Sequence, residues 1–506
     1  MLKYDYQVLK SGSDIRGIAV EGVPGQNVQL TDEVAENIGY GFALWLADRS
    51  APADGAAFTV AVGHDSRISA DRLSKALCKG LTAAGVNVKF CGLSSTPAMF
   101  MTTVNFDCDA AVEITASHHP FNRNGFKFFT KAGGIEGADV TDILGFAENA
   151  PKEPAPVPGT VSETPYMNRY AEQLRTMICE AVNADDYARP LRDFRIAVDA
   201  GNGAGGFYAT HVLEPLGADI TGSQFLEPDG MFPNHVPNPE DKTAMEAISS
   251  SVVQHGCDLG IIFDTDVDRS ACVDASGREI NRNALIALAS VIALEGNEGG
   301  TIVTDSVTSS GLKEFIEGTL GGKHCRFKRG YRNVINEAKR LNLEESTNAP
   351  LAIETSGHAA MRENYFLDDG AYLATKILIK AAQLKKEGRT LGDLIADLKE
   401  PVEEAEFRLK ILPEDFRTVG DQVIKDLTHL MSTADDYILA SDSAEGIRAT
   451  KPEVDGWFLL RLSVHDPVMP LNIESNTPGG VNNILRDLKT FFRIYDMLDT
   501  GCLQDQ

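Results

Sequence analysis

No two cysteines in this sequence stand as a CxxC pair. The eight, at positions 78, 91, 108, 179, 257, 272, 325 and 502, are scattered singly. That spacing argues against a zinc site and a disulfide framework and leaves small core hydrophobes. Long apolar runs are also missing: nothing approaches the roughly 18 consecutive residues of a membrane span, so no membrane association is expected. Positive charge is scarce, with 47 Lys and Arg against 73 Asp and Glu, and the formal net charge is -26. Such a field repels phosphate backbones, so nucleic acid is not an expected partner, whereas a small anion remains compatible with a locally basic pocket. The opening segment "MLKYDYQVLKSGSDIRG" lacks both an apolar core and a small-residue cleavage site, and a cytoplasmic protein is expected.

What is present is the composition of a globular protein, 43% hydrophobic and 24% charged over 506 residues. That length exceeds what one core organises and predicts about three or four domains. Strand-like apolar runs alternate with helical segments, which predicts repeated α/β units. "AFTVAVGHD" (57–65) reads as a buried strand, and "SADRLSKALCKGLTAAG" (69–85) as an amphipathic helix with Ser69 as N-cap and Gly85 as terminator. "VNVKFCG" follows as a strand. The pattern recurs in "RIAVDAGNGAGG" (195–206) followed by a helix, "DLGIIFDTD" (258–266), and "GTIVTDSVTSSGLKEFIE" (300–317). The proline-rich "APKEPAPVPG" (150–159) reads as a linker. From about 407, "AEFRLKIL", a helix, "DYILASD", "GIRAT" and "GWFLLRLSV" predict an antiparallel sheet with helices. Segments 1–155, 156–299, 300–405 and 406–506 are the expected domains.

Four stretches carry candidate chemistry. In "EITASHHPFNRNGFKFF" (113–129), Ser117 follows an apolar run and precedes His118, His119 and Pro120. It is either part of a polar turn or a nucleophile displayed on a loop. In "DTDVDRS" (264–270), Asp264, Asp266 and Asp268 alternate directly after "LGIIF", a set of hard oxygens suited to Mg²⁺ or a solvated acidic turn. A calcium EF-hand would require glycine at Arg269 and glutamate at Ala275, so that reading fails. In "ETSGH", Glu354, Ser356 and His358 offer donors and acceptors for sugar hydroxyls, or form a polar turn before a helix. "FKRGYRN" (327–333) contributes Lys328, Arg329 and Arg332 as phosphate partners or as a solvated basic turn.

Taken in order, "TASHHP", "DTDVDR" and "ETSGH", with "SDIRG" (13–17), "PDGMFPNHVPNPE" (228–240), "FLDDGAY" (366–372) and "DGWFLLRLS" (455–463), resemble the α-D-phosphohexomutase superfamily over nearly the whole chain. This superfamily includes phosphoglucomutases and phosphomannomutases. The resemblance implies an α/β, four-domain phosphohexomutase-like architecture: three related α/β domains around a cleft plus a C-terminal α+β domain. It implies that Ser117 carries a phosphoryl group and that Mg²⁺ is held by Asp264, Asp266 and Asp268 together with Ser117. Arg16 and Arg269 would surround the transferring group. Lys127 would serve as general base and acid for the sugar hydroxyl, with His118 as the alternative, whereas His119 stands where the family often has asparagine and reads as structural. Glu354, Ser356 and His358 would hold the sugar, and Arg329, Arg461 and Ser463 its phosphate. The implied reaction interconverts hexose 1-phosphate and hexose 6-phosphate of glucose or mannose through hexose 1,6-bisphosphate, which is both intermediate and activator. The implied partner is therefore a small-molecule sugar phosphate.

The resemblance weakens in the last domain. There the family's phosphate loop has the pattern Arg-x-Ser-Asn-Thr-x-Pro followed by a second Arg. "RLSVHDPVMP" (461–470) keeps Arg461, Ser463 and Pro467 but puts His465 at the threonine and Pro470 at the second arginine. Arginine gives bidentate contacts that these residues do not, so other basic residues, Arg448, Lys328 or Arg329, are candidates to compensate. The departure leaves two further readings beside the mutase: a sugar-phosphate phosphatase or bisphosphate-processing enzyme, and a non-catalytic sugar-phosphate-binding protein. A second string, "ESNTPGGVNNILR" (474–486), imitates the loop but lacks a leading arginine and, by its pattern, a preceding strand. It is expected to be a turn leading into a helix.

Overall fold

The computed structural model describes residues 5–52, 57–344, 347–463 and 466–503. The chain forms two compact units, Met1–Ile292 with Ser356–Asp393 and Ala293–Thr355 with Leu394–Gln506. The fold class is the expected one, with α/β sheets followed by a C-terminal antiparallel sheet with helices.

The first unit opens with strand β1 (Asp14–Ile18), helix α1 (Asp32–Arg49), β2 (Thr59–His64), α2 (Ala70–Ala83), β3 (Asn87–Leu93), α3 (Thr96–Asn105), β4 (Ala110–Ile114) and β5 (Arg123–Thr130). Their sheet runs β1-β5-β4-β2-β3. β4, β2 and β3 are mutually parallel, while β5 runs antiparallel to both β4 and β1. Val60, Ala61, Val62, Ala110, Ala111 and Val112 are fully buried, as continuous apolar strands are when helices cover both sheet faces. The parallel strands β2 and β4 thus deliver the loops after their C-terminal ends, with Asp65 and Ser117, to the same end of the sheet.

Two local expectations are corrected here. Ser69 occupies the N-cap position of α2, but with φ -90° and ψ 0° its hydroxyl makes no capping bond, and instead accepts from Asn124 Nδ2 at 2.9 Å. After β6 (Ile196–Asp199), the expected helix is present but wound irregularly, as a π-helical turn, Tyr208–Leu213, followed by a 3₁₀ turn, Glu214–Leu216. Pro215 has no N–H to continue an α-helical ladder, which accounts for the change of winding.

β6 pairs in parallel with β7 (Leu259–Phe263), and β7 pairs antiparallel with β8 (Ser270–Asp274). All of Leu259–Phe263 is buried, so Asp264 emerges at a strand's C-terminal end, where open α/β sheets bind ligands.

Helix α1 approaches α2 through glycines. A Cβ on Gly80 would lie 1.9 Å from Glu36 O, and one on Gly39 would lie 2.3 Å from Leu77 O. Backbone cannot yield as a side-chain tip can, so Gly80→Ala should destabilise the first unit by about 3 kcal/mol or more, the upper part of the overpacking range. The check is a thermal or urea midpoint well below wild type; an unchanged midpoint would contradict this close packing.

The second unit contains β9 (Thr301–Thr304), with β10 (Lys323–Arg326) and β11 (Leu351–Ile353) parallel to it on either side. Helix α4 (Tyr331–Glu344) lies between β10 and β11 in sequence. The C-terminal sheet contains β12 (Glu403–Ile411), β13 (Ile447–Lys451), β14 (Gly456–Leu460) and β15 (Val468–Ser475), in order β13-β14-β15-β12 and wholly antiparallel. Helices α5 (Phe416–Thr433) and α6 (Gly480–Phe492) bury their apolar faces on it.

"ESNTPGG" does lead into α6 as expected, but a strand precedes it: β15 runs through Pro470 to Ser475. Proline is tolerated there because Leu471 is the last residue of β15 paired with β14, and Pro470 needs only to accept, from Arg461 N. Among the described residues, no helix is long and apolar enough to cross a membrane.

Candidate active site

Ser117 follows directly from the buried strand β4 on a tight turn. Its φ is +49°, an uncommon conformation for a non-glycine residue, and its own N–H donates to Thr115 Oγ1 at 2.8 Å. The turn is held open by a side chain far away in sequence. Arg67 Nη1 donates to Pro120 O and Arg123 O, each at 2.9 Å, and Arg67 Nη2 donates to His119 O at 2.6 Å and to Ser117 O. Arg67 is itself 2% exposed and pairs with Asp65 at 3.3 Å. Arg16 supports the base of the loop, donating to Thr115 O and Asp14 Oδ2 at 2.7 Å each.

The serine hydroxyl faces the acidic loop. Ser117 Oγ donates to Asp264 Oδ2 at 3.0 Å and accepts from Arg269 Nη2 at 2.8 Å. Arg269 also donates to Asp264 Oδ2 from Nε and Nη2 at 3.1 and 2.9 Å, to Asn238 Oδ1 at 3.1 Å, and to His118 Nδ1 at 2.7 Å. Thr96 Oγ1 donates to Asp266 Oδ2 at 2.5 Å. Lys127 Nζ donates to Asp266 Oδ2 at 2.9 Å and also to Asp268 Oδ2.

One carboxylate oxygen each from Asp264, Asp266 and Asp268 lie within 4.8 Å of one another, all buried. Asp266 Oδ1 and Asp268 Oδ1 are buried without a hydrogen-bond partner. Three close carboxylates with orphaned hard oxygens fit a small divalent cation far better than they fit one another. Their electrostatics say the same. Burial and then the charge of Asp268 push the carboxyl of Asp264 well above the usual range, despite Arg269. For Asp266, burial opposes ionisation, but Lys127 and Thr96 outweigh it and hold its pKa below the ordinary value.

His118 and His119 stack with centroids 5.2 Å apart. Burial, reinforced by Arg269, lowers His118 to about 2, and burial with Arg16 and Arg67 lowers His119 to about 3, from an ordinary 6.5. Both rings are therefore neutral at pH 7, and His118 Nδ1 lies 3.3 Å from Ser117 Oγ. Below pH 6.5 the unfolded chain takes up protons that the folded loop refuses, so stability present above that pH is lost as the pH falls toward the folded values. Urea midpoints measured from pH 7 to 4 should decline with a contribution of up to about two protons. A His118→Asn/His119→Asn variant should show a flatter curve, and an identical curve would contradict the assignment.

His358 closes this side of the first unit. Its backbone bridges to Arg269, its Nδ1 lies 2.5 Å from Asp368 Oδ2 and 3.8 Å from Asp268 Oδ1, and Asp368 followed by Asp268 outweighs burial to raise it to about 9. Ser356, two residues before it, is 5% exposed, and Gly357 between them takes φ +93°.

The remaining expected ligand-binding residues belong to the second unit. Glu354 Oε1 accepts from Gly330 N at 2.5 Å, and Arg329 N donates to Glu445 Oε1 at 2.9 Å. Arg461 is buried with its Nε unpartnered, and Ser463 Oγ accepts from Asp466 N at 3.3 Å. His465 lies outside the described residues. Arg448 is not available to compensate for the altered loop. It stacks 3.4 Å over Trp457 and donates to Ser306 O and Thr308 O, so its guanidinium is spent on backbone. Lys328 is exposed.

Sequence reasoning passed over three groups at the serine site. Arg67 was visible as an Asp-x-Arg sequence just past a buried strand, the position where ligand-facing loops begin. Thr96 carried no signal, because a threonine opening a helix usually does nothing more. Glu113 carried a strong one, a carboxylate inside the apolar run "AAVEI". It is fully buried, both its oxygens lack hydrogen-bond partners, and its Cα pairs with that of Lys127 across the sheet. Burial first, then Asp65 and Asp266, push its pKa well above the ordinary carboxylate value.

Comparison with known proteins adds to this geometry. Family models described as phosphoglucomutase/phosphomannomutase, alpha/beta/alpha domains I, II and III, match residues 8–150, 168–277 and 281–402. A phosphoglucomutase of Neisseria gonorrhoeae is 28% identical over 93% of this chain and 94% of its own length. A phosphomannomutase/phosphoglucomutase of Pseudomonas aeruginosa PAO1 is 29% identical over 95% of both. Among solved structures, a phosphoglucomutase/phosphomannomutase family protein from Burkholderia thailandensis superposes with a TM-score of 0.77 at 26% identity, covering 96% of this chain and 97% of that one.

Proposed function

The chain belongs to the phosphoglucomutase/phosphomannomutase family of the α-D-phosphohexomutase superfamily, and on that premise we propose that it interconverts hexose 1-phosphate and hexose 6-phosphate. The observation that carries this reading is the contact of Ser117 Oγ with both Asp264 and Arg269. A hydroxyl so placed has a carboxylate to receive its hydrogen bond and a guanidinium to meet the charge of a phosphoryl group attached to it.

In the proposed reaction, phospho-Ser117 gives its phosphoryl group to the free O6 of a hexose 1-phosphate. The O6–P bond forms as the Oγ–P bond breaks, giving a hexose 1,6-bisphosphate. After the intermediate turns over, the phosphate at O1 returns to Ser117 Oγ and the 6-phosphate leaves.

Asp264, Asp266 and Asp268, with Ser117, would hold Mg²⁺, which when bound neutralises charge on the transferring group and on the leaving serine oxygen. Lys127 takes the sugar hydroxyl proton and returns it in the reverse half. Its present ion pairs with Asp266 and Asp268 favour its charged form, so the base role requires those carboxylates to be engaged elsewhere. His118, neutral and beside Ser117 Oγ, is the second candidate for that proton. Arg16 braces the serine loop. Glu354, Ser356 and His358 hold the sugar hydroxyls, while Arg329, Arg461 and Ser463 receive the phosphate that is not reacting. The substrate is a small-molecule sugar phosphate of glucose or mannose, and a cytoplasmic location goes with that substrate class.

The test is to incubate the protein with Mg²⁺, glucose 1-phosphate and a trace of glucose 1,6-bisphosphate. Glucose 6-phosphate and free phosphate are followed together, and the assay is repeated with mannose 1-phosphate. A 6-phosphate without free phosphate is the expected result and ranks the two sugars. Free phosphate alone would replace the mutase by a phosphatase, and neither product from either sugar would overturn the reading.

A further inference from the structure

The second unit contains a group of anion donors that already has an occupant. Ser306 follows β9, and its Oγ donates to Glu445 Oε1; Arg329, at the start of α4, donates its backbone N–H to the same oxygen at 2.9 Å. Arg461 leads out of β14, 8% exposed, with no hydrogen-bond partner for its Nε. Burial lowers its pKa, and the largest influence opposing that burial is the charge of Glu445.

Glu445 is delivered by a fastened loop. Asp442 Oδ2 lies 3.1 Å from Lys313 Nζ and 3.5 Å from Arg326 Nη1, and Ser443 Oγ donates to Glu445 O at 2.9 Å. Gly446 has φ +57°, and a Cβ there would sit 2.1 Å from Leu460 O, so the chain turns back immediately after Glu445. The carboxylate is thus aimed at these donors by its own backbone.

One carboxylate does not exhaust the group. A single oxygen takes both hydrogen bonds, while a buried guanidinium nitrogen remains unsatisfied, at a cost for any buried donor. A phosphate brings more acceptor oxygens and more charge, and suits an arginine fork. We propose that Glu445 is a tethered anion occupying the subsite that receives the substrate's non-reacting phosphate, and that phosphate binds only by displacing it. The inference rests on the sugar-phosphate reading for its ligand, but its test does not require turnover.

The probe is inorganic phosphate, titrated calorimetrically into the full-length wild type, Glu445→Gln and Glu445→Ala. If Glu445 fills the subsite in nine of ten molecules, removing its charge should tighten phosphate binding about tenfold. The gain should vanish in a Glu445→Gln/Arg461→Met variant, which locates it at Arg461. In turnover, Glu445→Gln should lower KM for the hexose phosphate more than it alters kcat. Unchanged, weaker or undetectable phosphate binding in both single variants would overturn the proposal and leave Glu445 as a loop fastener, as would a gain that survives the loss of Arg461. If no protein isomerises a hexose phosphate, the mutase reading fails, while the phosphate titration still decides the role of Glu445.

Discussion

Ser117→Ala is expected to lower isomerisation by at least about a thousandfold, because the oxygen proposed to carry the phosphoryl group is removed and no other side chain replaces a covalent carrier. The loop should survive the change. The bonds that shape it, from Arg67 Nη2 to Ser117 O and from Ser117 N to Thr115 Oγ1, use only main-chain atoms of residue 117, and alanine meets the left-handed φ at no greater cost than serine. The loss should therefore appear in kcat with a near-native thermal midpoint. Wild-type protein treated with glucose 1,6-bisphosphate should gain one phosphoryl group by intact mass, and the variant none. Turnover near wild type in the alanine variant would sink the nucleophile assignment.

Arg269→Lys is the second large effect, a loss in kcat on the order of a thousandfold, the scale of an arginine that meets phosphoryl charge. Its guanidinium bonds Ser117 Oγ, Asp264, His118 and Asn238 together, and a lysine has one nitrogen on a shorter reach. The variant also leaves Asp264 incompletely paired in a buried site, which should lower the melting temperature. Adding Mg²⁺ should recover part of that stability, because a cation among the three aspartates substitutes for the lost charge. A kcat within about tenfold of wild type would make Arg269 an anchor of the fold rather than a partner of the phosphoryl group.

The two predictions concern residues that the sequence displayed openly, and the reason is topological. Strand C-termini in α/β sheets carry ligand-facing loops, so "LGIIF" before three aspartates and "AAVEI" before "TASHH" marked both loops without a structure. The antiparallel tail was legible for a similar reason, because alternating strands of its length leave few other arrangements. What was illegible depends on contacts far apart in sequence. Ser69 looked like a cap, yet nothing near it shows that Asn124 will bind its hydroxyl. The string "ESNTPGG" read as lacking a preceding strand, yet β15 runs through Pro470 to Ser475, and the pairing that excuses the proline is set by where β14 stops. Arg448 looked like spare charge until Trp457 and two carbonyls engaged it. Glu445 sits in a polar loop of ordinary composition, and only the positions of Ser306 and Arg329 distinguish it from any surface acid.

Arg67 has a consequence for how the protein is made. Four carbonyls of the serine loop depend on this one guanidinium, contributed from 50 residues upstream of Ser117. Local bonds such as that from Ser117 N to Thr115 do not shape the loop alone; it takes its full form once β2 and β4 lie side by side and Arg67 is buried against the loop carbonyls. A nascent or partly unfolded chain therefore carries Ser117 as an ordinary serine, with neither the left-handed backbone angle nor the Asp264 and Arg269 contacts on which the proposed phosphoryl transfer depends. The proposed reactivity is in this sense an assembly product, acquired with tertiary structure and lost at the first loosening of the N-terminal sheet.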